Sequence, residues 1–324
     1  MMEFMKGGAW PWIAARGACV GLDFCDSAVR LVELRRKGLR GSRLGCWASV
    51  GLPKGCLSAG AIADMDAVVQ AVRGVVVRLG IMGRRAAVAL PPGQATLHWA
   101  QVPSADPPGR QALRVKARLD QLLGAAAQDC VFDFALSETG EGAGSHCDAL
   151  VVAARRGVVM DYLAIAEAAG LRPGRVVPAT QAALWAMQVW RQRRGRGRAG
   201  SAWAAVDARS GTLSLALARD GSGQAVAEFA TQAPLSTAEL AQSIVTLLDR
   251  ARAAAEVPHL DQLLLGGGLP SPQALAVELS RRLGFQAVAV APFDGLQEEP
   301  GDDWPGPGDP YHAAFGTALG SLTA

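Results

Sequence analysis

Two aspartates close apolar runs in the two halves of the chain. Asp23 ends Val20-Gly21-Leu22-Asp23 and is followed by Phe24-Cys25-Asp26-Ser27 and then Ala28-Val29-Arg30-Leu31-Val32. Asp207 ends Ala205-Val206-Asp207 and is followed by Ala208-Arg209-Ser210-Gly211 and then Thr212-Leu213-Ser214-Leu215. Each segment reads as strand, polar turn and alternating strand. A carboxylate at such a strand end can hold Mg²⁺ through water, while the turn amides take phosphate oxygens. Ser27 adds a hydroxyl donor, Arg30 a charge-assisted one, and Thr212 opens the second return strand. A third element, Leu263-Leu264-Leu265-Gly266-Gly267-Gly268-Leu269-Pro270, is a buried strand opening into a triglycine turn. Gly266, Gly267 and Gly268 would offer flat backbone to a purine and ribose. The candidate nucleotide site is therefore Asp23, Ser27, Arg30, Asp207, Thr212 and Gly266 to Gly268, with Asp23 and Asp207 as the magnesium residues. For one hairpin alone, an aspartate bonded to its own turn amides is the simpler reading; the pair and the glycine strand together favour phosphate.

The elements that must position these residues follow from periodicity. Arg43 to Val50 reads as a third strand, Asp64 to Leu79 as a helix with Met65, Val68, Val69, Val72, Val76 and Leu79 on one face, and Ala86 to Leu90 as a buried strand. From Thr96 to Arg172 the order is strand (96–102), helix (110–123, with Ala112, Val115, Leu119 and Leu122 aligned), strand (130–136), strand (149–154) and helix (158–169). That is an α/β unit inserted before the helix 179–190. The second half repeats the hairpin and third strand at 203–207, 212–219 and 224–231. A helix with the capping-box pair Ser236 and Glu239 follows, then the strand 262–265, a helix with Ser271 as N-cap, Pro272 first and Gly284 last, and an apolar helix 312–322.

Composition narrows the function. The chain has 324 residues, with Lys+Arg 32 against Asp+Glu 29 and a net charge of +3, long enough for two domains and too balanced for a nucleic-acid polymer as main partner. Arg191, Arg193, Arg194, Arg196 and Arg198, interleaved with Gly195, Gly197 and Gly200, read as a solvated interdomain loop; 298–309 reads as an acidic surface loop. The six cysteines show no Cys-x-x-Cys pair and no histidine at metal spacing, which fits a reduced, cytoplasmic setting. Cys25 reads as a small packing residue, and the scattered histidines are assigned no catalysis. Residues 1–16 lack the apolar core of a signal peptide, and Trp10, Pro11 and Trp12 are expected to pack or be disordered. No stretch approaches the ~20 apolar residues of a membrane span.

Several runs then occur in a telling order: Gly21-Leu22-Asp23 through Ser27-Ala28-Val29-Arg30-Leu31-Val32-Glu33-Leu34; Val131-Phe132-Asp133-Phe134; Val151-Val152-Ala153-Ala154-Arg155-Arg156; Ala168-Ala169-Gly170-Leu171-Arg172-Pro173; Leu263 to Leu269; and Ala313-Phe315-Gly316-Ala318-Leu319-Gly320. Over residues 18–322 this order resembles the PilM family of type IV pilus assembly proteins. These are actin-like ATPases close in fold to the division protein FtsA; the nearest parallel is their diverged members in DNA-uptake and pilus operons. The resemblance implies an α/β, actin-like (ribonuclease H-like, duplicated) fold in two halves. Residues 1–17 would be an N-terminal extension; 18–92, 173–200 and 310–324 half I; 93–172 the inserted α/β subdomain; and 201–309 half II.

The resemblance also implies a cytoplasmic protein, peripheral at the inner membrane, that binds ATP with Mg²⁺ between its halves. Its partner would be the N-terminal cytoplasmic tail of a PilN-like inner-membrane protein, held in a groove beside the insert, with pilus motor ATPases and self-association as further contacts. Where the family places glycine two residues after each aspartate, this chain has Cys25 and Arg209. Where the family has an acidic Val-Asp-Val-Glu-Pro, it has Val176-Val177-Pro178-Ala179-Thr180. ATP binding is accordingly expected to be weak or lost, and no residue is assigned a catalytic role. Two function classes stay open, because a fold alone does not decide chemistry. One is a scaffold that grips a membrane partner's tail. The other is an active actin-fold ATPase or small-molecule kinase, which would need a substrate-side catalytic aspartate that does not stand out. The cytoplasmic domain of a type II secretion platform protein is a third relation of the same fold.

Overall fold

The computed structural model describes residues 18–37, 41–136, 146–194, 201–209, 211–219, 225–232, 236–254, 257, 259–294, 296 and 305–322. The N-terminal extension with Trp10, Pro11 and Trp12, the glycine- and arginine-rich stretch 195–200 and most of the acidic stretch (297–304) lie outside them.

The first half opens with β1 (Ala18–Cys25) and β2 (Ala28–Lys37), an antiparallel hairpin whose register sets Asp23 opposite Arg30. Next come β3 (Gly41–Gly51), a small hairpin of β4 (Leu57–Ser58) and β5 (Ala61–Ile62), and α1 (Met65–Arg78). The Asp64 carboxylate caps α1 by accepting the Ala67 N–H at 3.0 Å. The helix buries Val68, Val72, Val75 and Val76; Met65, expected on that face, is exposed because it sits in the first turn at the solvent edge. β6 (Arg85–Leu90) then lies parallel to β1.

The insert contains β7 (Ala95–Pro103), α2 (Pro108–Leu123), β8 (Cys130–Leu136) and β9 (His146–Arg155), with the strands in the order β7-β9-β8. Val115 and Leu119 of α2 cover one sheet face, while Leu122, expected on the same side, is exposed. α3 (Arg156–Ala168) leaves this unit: Val159, Tyr162 and Ile165 lie in the core of the first half, where Tyr162 meets Phe24 edge-on at 5.0 Å. The expected insert boundary at 172 thus falls after a helix that packs with the main body. β10 (Arg172–Pro178) extends the main sheet beside β6. Its Pro173, Gly174 and Pro178 masked it in the sequence, and its edge position is where a strand tolerates proline. α4 (Ala179–Arg193) follows.

The second half repeats the plan with β11 (Ala202–Arg209), β12 (Thr212–Arg219), β13 (Ala225–Gln232), α5 (Thr237–Ala254), β14 (Gln262–Gly267), α6 (Pro272–Leu283), β15 (Gln286–Ala289) and finally α7 (His312–Leu322). The capping box forms as expected: the Ser236 hydroxyl donates to Glu239 Oε2 at 2.5 Å and accepts the Glu239 N–H at 3.3 Å. Ser271 precedes α6 but makes no side-chain cap; its backbone is left-handed, φ +44°.

The two sheets run β3-β2-β1-β6-β10 and β13-β12-β11-β14-β15, each with two antiparallel pairings followed by two parallel ones. The same strand order with the same strand senses is an internal duplication. α1 and α3 cover the outer face of the first sheet, and α5 and α6 the outer face of the second. Between the sheets, α4 and α7 pack on the first, and α4 packs on the second, which α7 meets through His312 at its start. β1 and β11 are apolar on both sides because both their faces are covered.

Close approach in this middle layer depends on glycine. A Cβ on Gly21 of β1 would overlap the Ala314 carbonyl of α7, and one on Gly316 would overlap the Ala182 carbonyl of α4. Backbone cannot yield as a side-chain tip can. Gly316→Ala should therefore lower stability by about 1–3 kcal/mol or more, read as a fall in midpoint in urea unfolding, whereas Gly74→Ala, at a position with open space, should not lower it.

Candidate functional site

Asp23 and Asp207 lie at the carboxyl ends of the central strands β1 and β11, and the two sheets bring these ends together across the cleft between the halves. Both are almost fully buried, 1% and 4% exposed. Between them stands Arg209, itself 6% exposed. Its position follows from strand alternation, since residues i and i+2 share a face and Arg209 therefore points the same way as Asp207. Arg209 Nε donates to Asp207 Oδ2 at 2.7 Å, and Nη2 reaches the same oxygen. Nη1 crosses to the other half and donates to Asp23 Oδ1 at 2.8 Å, with Nη2 at 3.5 Å from the Ala179 carbonyl.

Arg30 completes the cluster. Its Nη1 lies 3.8 Å from Asp23 Oδ2 and donates to Cys25 Sγ at 2.9 Å. Two carboxylates thus face two guanidinium groups, and the formal charges cancel within the protein. Burial works against the charge on Arg209, but Asp207, Asp23 and Cys25 outweigh it and hold the guanidinium protonated above its usual range. A buried carboxylate left without a partner would be costly, so the cluster's closure is a structural requirement as much as a chemical one.

The other expected residues divide. Gly266 and Gly267 are buried, and packing accounts for both: a Cβ on Gly266 would strike the Met187 side chain, and Gly267 adopts φ +78° against the Ala208 backbone. Gly268 alone of the three is exposed; its N–H donates to the Ala208 carbonyl at 2.7 Å. Ser27 is exposed at the first turn, and Thr212 is half-buried at the start of β12 opposite Arg209. The fold gathers Asp23, Arg30, Asp207 and Gly267 around Arg209, while Ser27, Thr212 and Gly268 stay at the rim.

Magnesium does not fit this arrangement. Asp207 Oδ2 and Asp23 Oδ1, which would bind its water shell, already accept from the Arg209 guanidinium. A divalent ion beside Arg209 would also meet like charge.

Two residues are more structural than the sequence suggested. Arg191, read as part of a solvated loop, is buried at the end of α4, where it donates to Gln262 Oε1 and Asp261 Oδ2 at 2.7 Å each and stacks on Trp203. His312, unassigned in sequence, joins α7 to the second half. Its Nδ1 accepts the Gly267 N–H at 3.2 Å, and Nε2 donates to the Val290 carbonyl at 3.0 Å.

With this geometry in place, comparison with known proteins is decisive. The family model described as type IV pilus assembly protein PilM matches residues 21–227. The chain belongs to the PilM family. Among solved structures, the fold superposes on a chain of the PilM–PilN type IV pilus biogenesis complex with a TM-score of 0.77 at 21% identity, covering 95% of this chain and 99% of that one. It also superposes on the cytoplasmic domain of EpsL, an inner-membrane component of the Vibrio cholerae type II secretion system, with a TM-score of 0.51 at 12% identity, covering 95% of each chain. No curated protein matches in sequence. The fold is the actin-like one, in agreement with the duplicated sheets. Among the described residues no helix is long and apolar enough to cross a membrane.

The buried imidazole sets a pH dependence. Burial pushes the His312 pKa from 6.5 down to about 4. The unfolded chain therefore binds a proton that the folded chain refuses. This contribution is complete above pH 6.5 and is lost as pH falls toward 4, with roughly 2 kcal/mol gone by pH 5. Thermal unfolding at pH 7.5 and pH 5.0 should show a drop in Tm that is smaller in His312→Gln; an equal drop in the variant would rule out a buried neutral histidine.

Proposed function

We propose that the chain is a scaffold of type IV pilus assembly that binds the cytoplasmic tail of a PilN-like inner-membrane protein and does not turn over ATP. The observation that carries this reading is its correspondence over 95% of its length to nearly the whole of a chain in the PilM–PilN complex, together with membership of the family. In this reading the protein works in the cytoplasm against the inner membrane, and its ATP–magnesium site is weak or lost. The enzyme alternative gains no support from the cleft: β10 runs into α4 through Val177-Pro178-Ala179, with no carboxylate to act as a base.

The insert supplies a surface suited to an extended peptide. Thr96, His98, Ala100 and Val102 of β7 share the face under α2, so Leu97 and Trp99 lie on the other, paired with Val152 and Leu150 of β9. Trp99 is 40% exposed. Asp133, paired with Val152 on the same sheet, and Arg175 of the main body act on one another electrostatically. This apolar face, bordered by charge, lies at the junction of insert and body, and β7 is a sheet edge able to add a strand.

Calorimetric titration with a synthetic peptide of the partner's cytoplasmic tail tests the reading. Binding in the absence of nucleotide, weakened about tenfold or more by Trp99→Ala, is expected. No binding to the peptide, together with steady ATP hydrolysis, would return the enzyme alternative to first place.

A further inference from the structure

The cleft that other actin-like folds use for a dissociable ligand contains, in this chain, a cation that cannot leave. We propose that Arg209 takes the place of the divalent ion, neutralising Asp23 and Asp207 together and clasping the two halves in their closed arrangement with no nucleotide present. This deepens the reading of the cleft as a lost nucleotide site and is independent of which partner the insert binds.

Three observations carry it. The first is reach: Arg209 belongs to the second half, yet its Nη1 bonds at 2.8 Å to Asp23 of the first, so the side chain spans the cleft. The second is stoichiometry. The two carboxylates present two negative charges, and Arg209 and Arg30 supply two positive ones at hydrogen-bond or ion-pair distance. No charge is left over for Mg²⁺ or for the phosphates it would carry. The third is shape. A guanidinium is a planar fork with five donors, able to serve Asp207 through Nε and Nη2 and Asp23 through Nη1 at once; an ammonium could not span both. Blocking alone would require only bulk. The contacts show a group satisfied on both sides, which is what a clasp requires.

The clasp has neighbours that depend on it. Gly267, whose N–H bonds His312, lies against Asp207, and the Ala179 carbonyl that Arg209 approaches opens α4, the helix wedged between the sheets. Loss of the guanidinium would leave two buried carboxylates facing each other and would force the halves apart unless another cation entered.

The test compares the full chain with Arg209→Gly and Arg209→Met, followed by thermal unfolding and small-angle scattering at constant ionic strength, with EDTA, with Mg²⁺ alone and with Mg-ATP. Wild type is expected to show the same Tm and radius of gyration in all three. Each single variant in EDTA should lose roughly 5–10 °C in Tm and expand. Arg209→Gly, which has room for an ion, should regain much of both on adding Mg²⁺ or Mg-ATP. Should the single variants fail to fold, the triple variant Asp23→Asn, Arg209→Met, Asp207→Asn, with no buried carboxylate left to neutralise and only the half-buried Arg30 still charged, should fold and recover most of the loss. A wild-type Tm that rises with Mg-ATP would overturn both the clasp and the lost-site reading. Single variants as stable and as compact as wild type in EDTA would overturn the clasp alone, since the absence of nucleotide binding by wild type would still stand. A triple variant no more stable than Arg209→Met would show that charge neutralisation is not what Arg209 provides.

Discussion

Two aspartates buried at the ends of facing central strands must be neutralised, and the rest of the molecule is arranged around how that is done. In an interior of low dielectric an unbalanced carboxylate is costly, and removing one member of a buried pair costs about 3–5 kcal/mol. Here the balance comes from Arg209 and Arg30. Because Arg209 reaches Asp23 from the opposite half, the bonds that satisfy the charge also link the two sheets.

The middle layer answers that constraint with close packing. α4 touches both sheets and α7 lies along the first, and both approach closely because Gly21 and Gly316 remove the Cβ atoms that would collide with backbone. Polar links sit at the two ends of this layer. Arg191 ties the end of α4 to Gln262 and Asp261, and His312 ties the start of α7 to Gly267 and Val290. The halves are therefore joined by packed helices, by the neutral hydrogen bonds of His312, by the Arg191–Asp261 ion pair and by the central ion pairs, so that no single contact bears the whole interface.

Most of the architecture was legible because the duplication repeats a strong local signal. Alternating strands around Asp23 and Asp207, the helix expected from Asp64 and the Ser236–Glu239 box all formed where periodicity and spacing placed them. β10 and β15 were not legible: the one contains two prolines and a glycine, the other is four residues at a sheet edge, and tertiary pairing defines both. Partial charge was misread for the same reason. Arg191 looks like one member of a solvated arginine run, and only the fold shows it stacked on Trp203. At the site, the two aspartates and Arg30 could be named from spacing, and Arg209 could be recognised as an intruder at a glycine position. That it bridges the halves depends on a distance between residues far apart in the chain, which no local pattern encodes. The triglycine shows the converse: a composition that suggests a ligand surface, of which packing already accounts for Gly266 and Gly267.

A side-chain cation differs from a bound ion in one decisive respect, which is that its concentration cannot change. A ligand shifts a conformational equilibrium only through its differential affinity for the two states, and it does so reversibly as it arrives and leaves. In the proposed clasp the cation belongs to the polypeptide, so the closing interaction is intramolecular and permanent, and the closed state would not report the supply of nucleotide. For an enzyme that cycles, this would be a loss of function. For a scaffold that must present one fixed surface to a membrane partner, it removes a source of motion. The pairing of Arg209 with Asp23 and Asp207 and the stretch Val177-Pro178-Ala179, which carries no carboxylate where β10 enters α4, point the same way: the proposed scaffold would need neither an exchangeable cation nor a hydrolytic base.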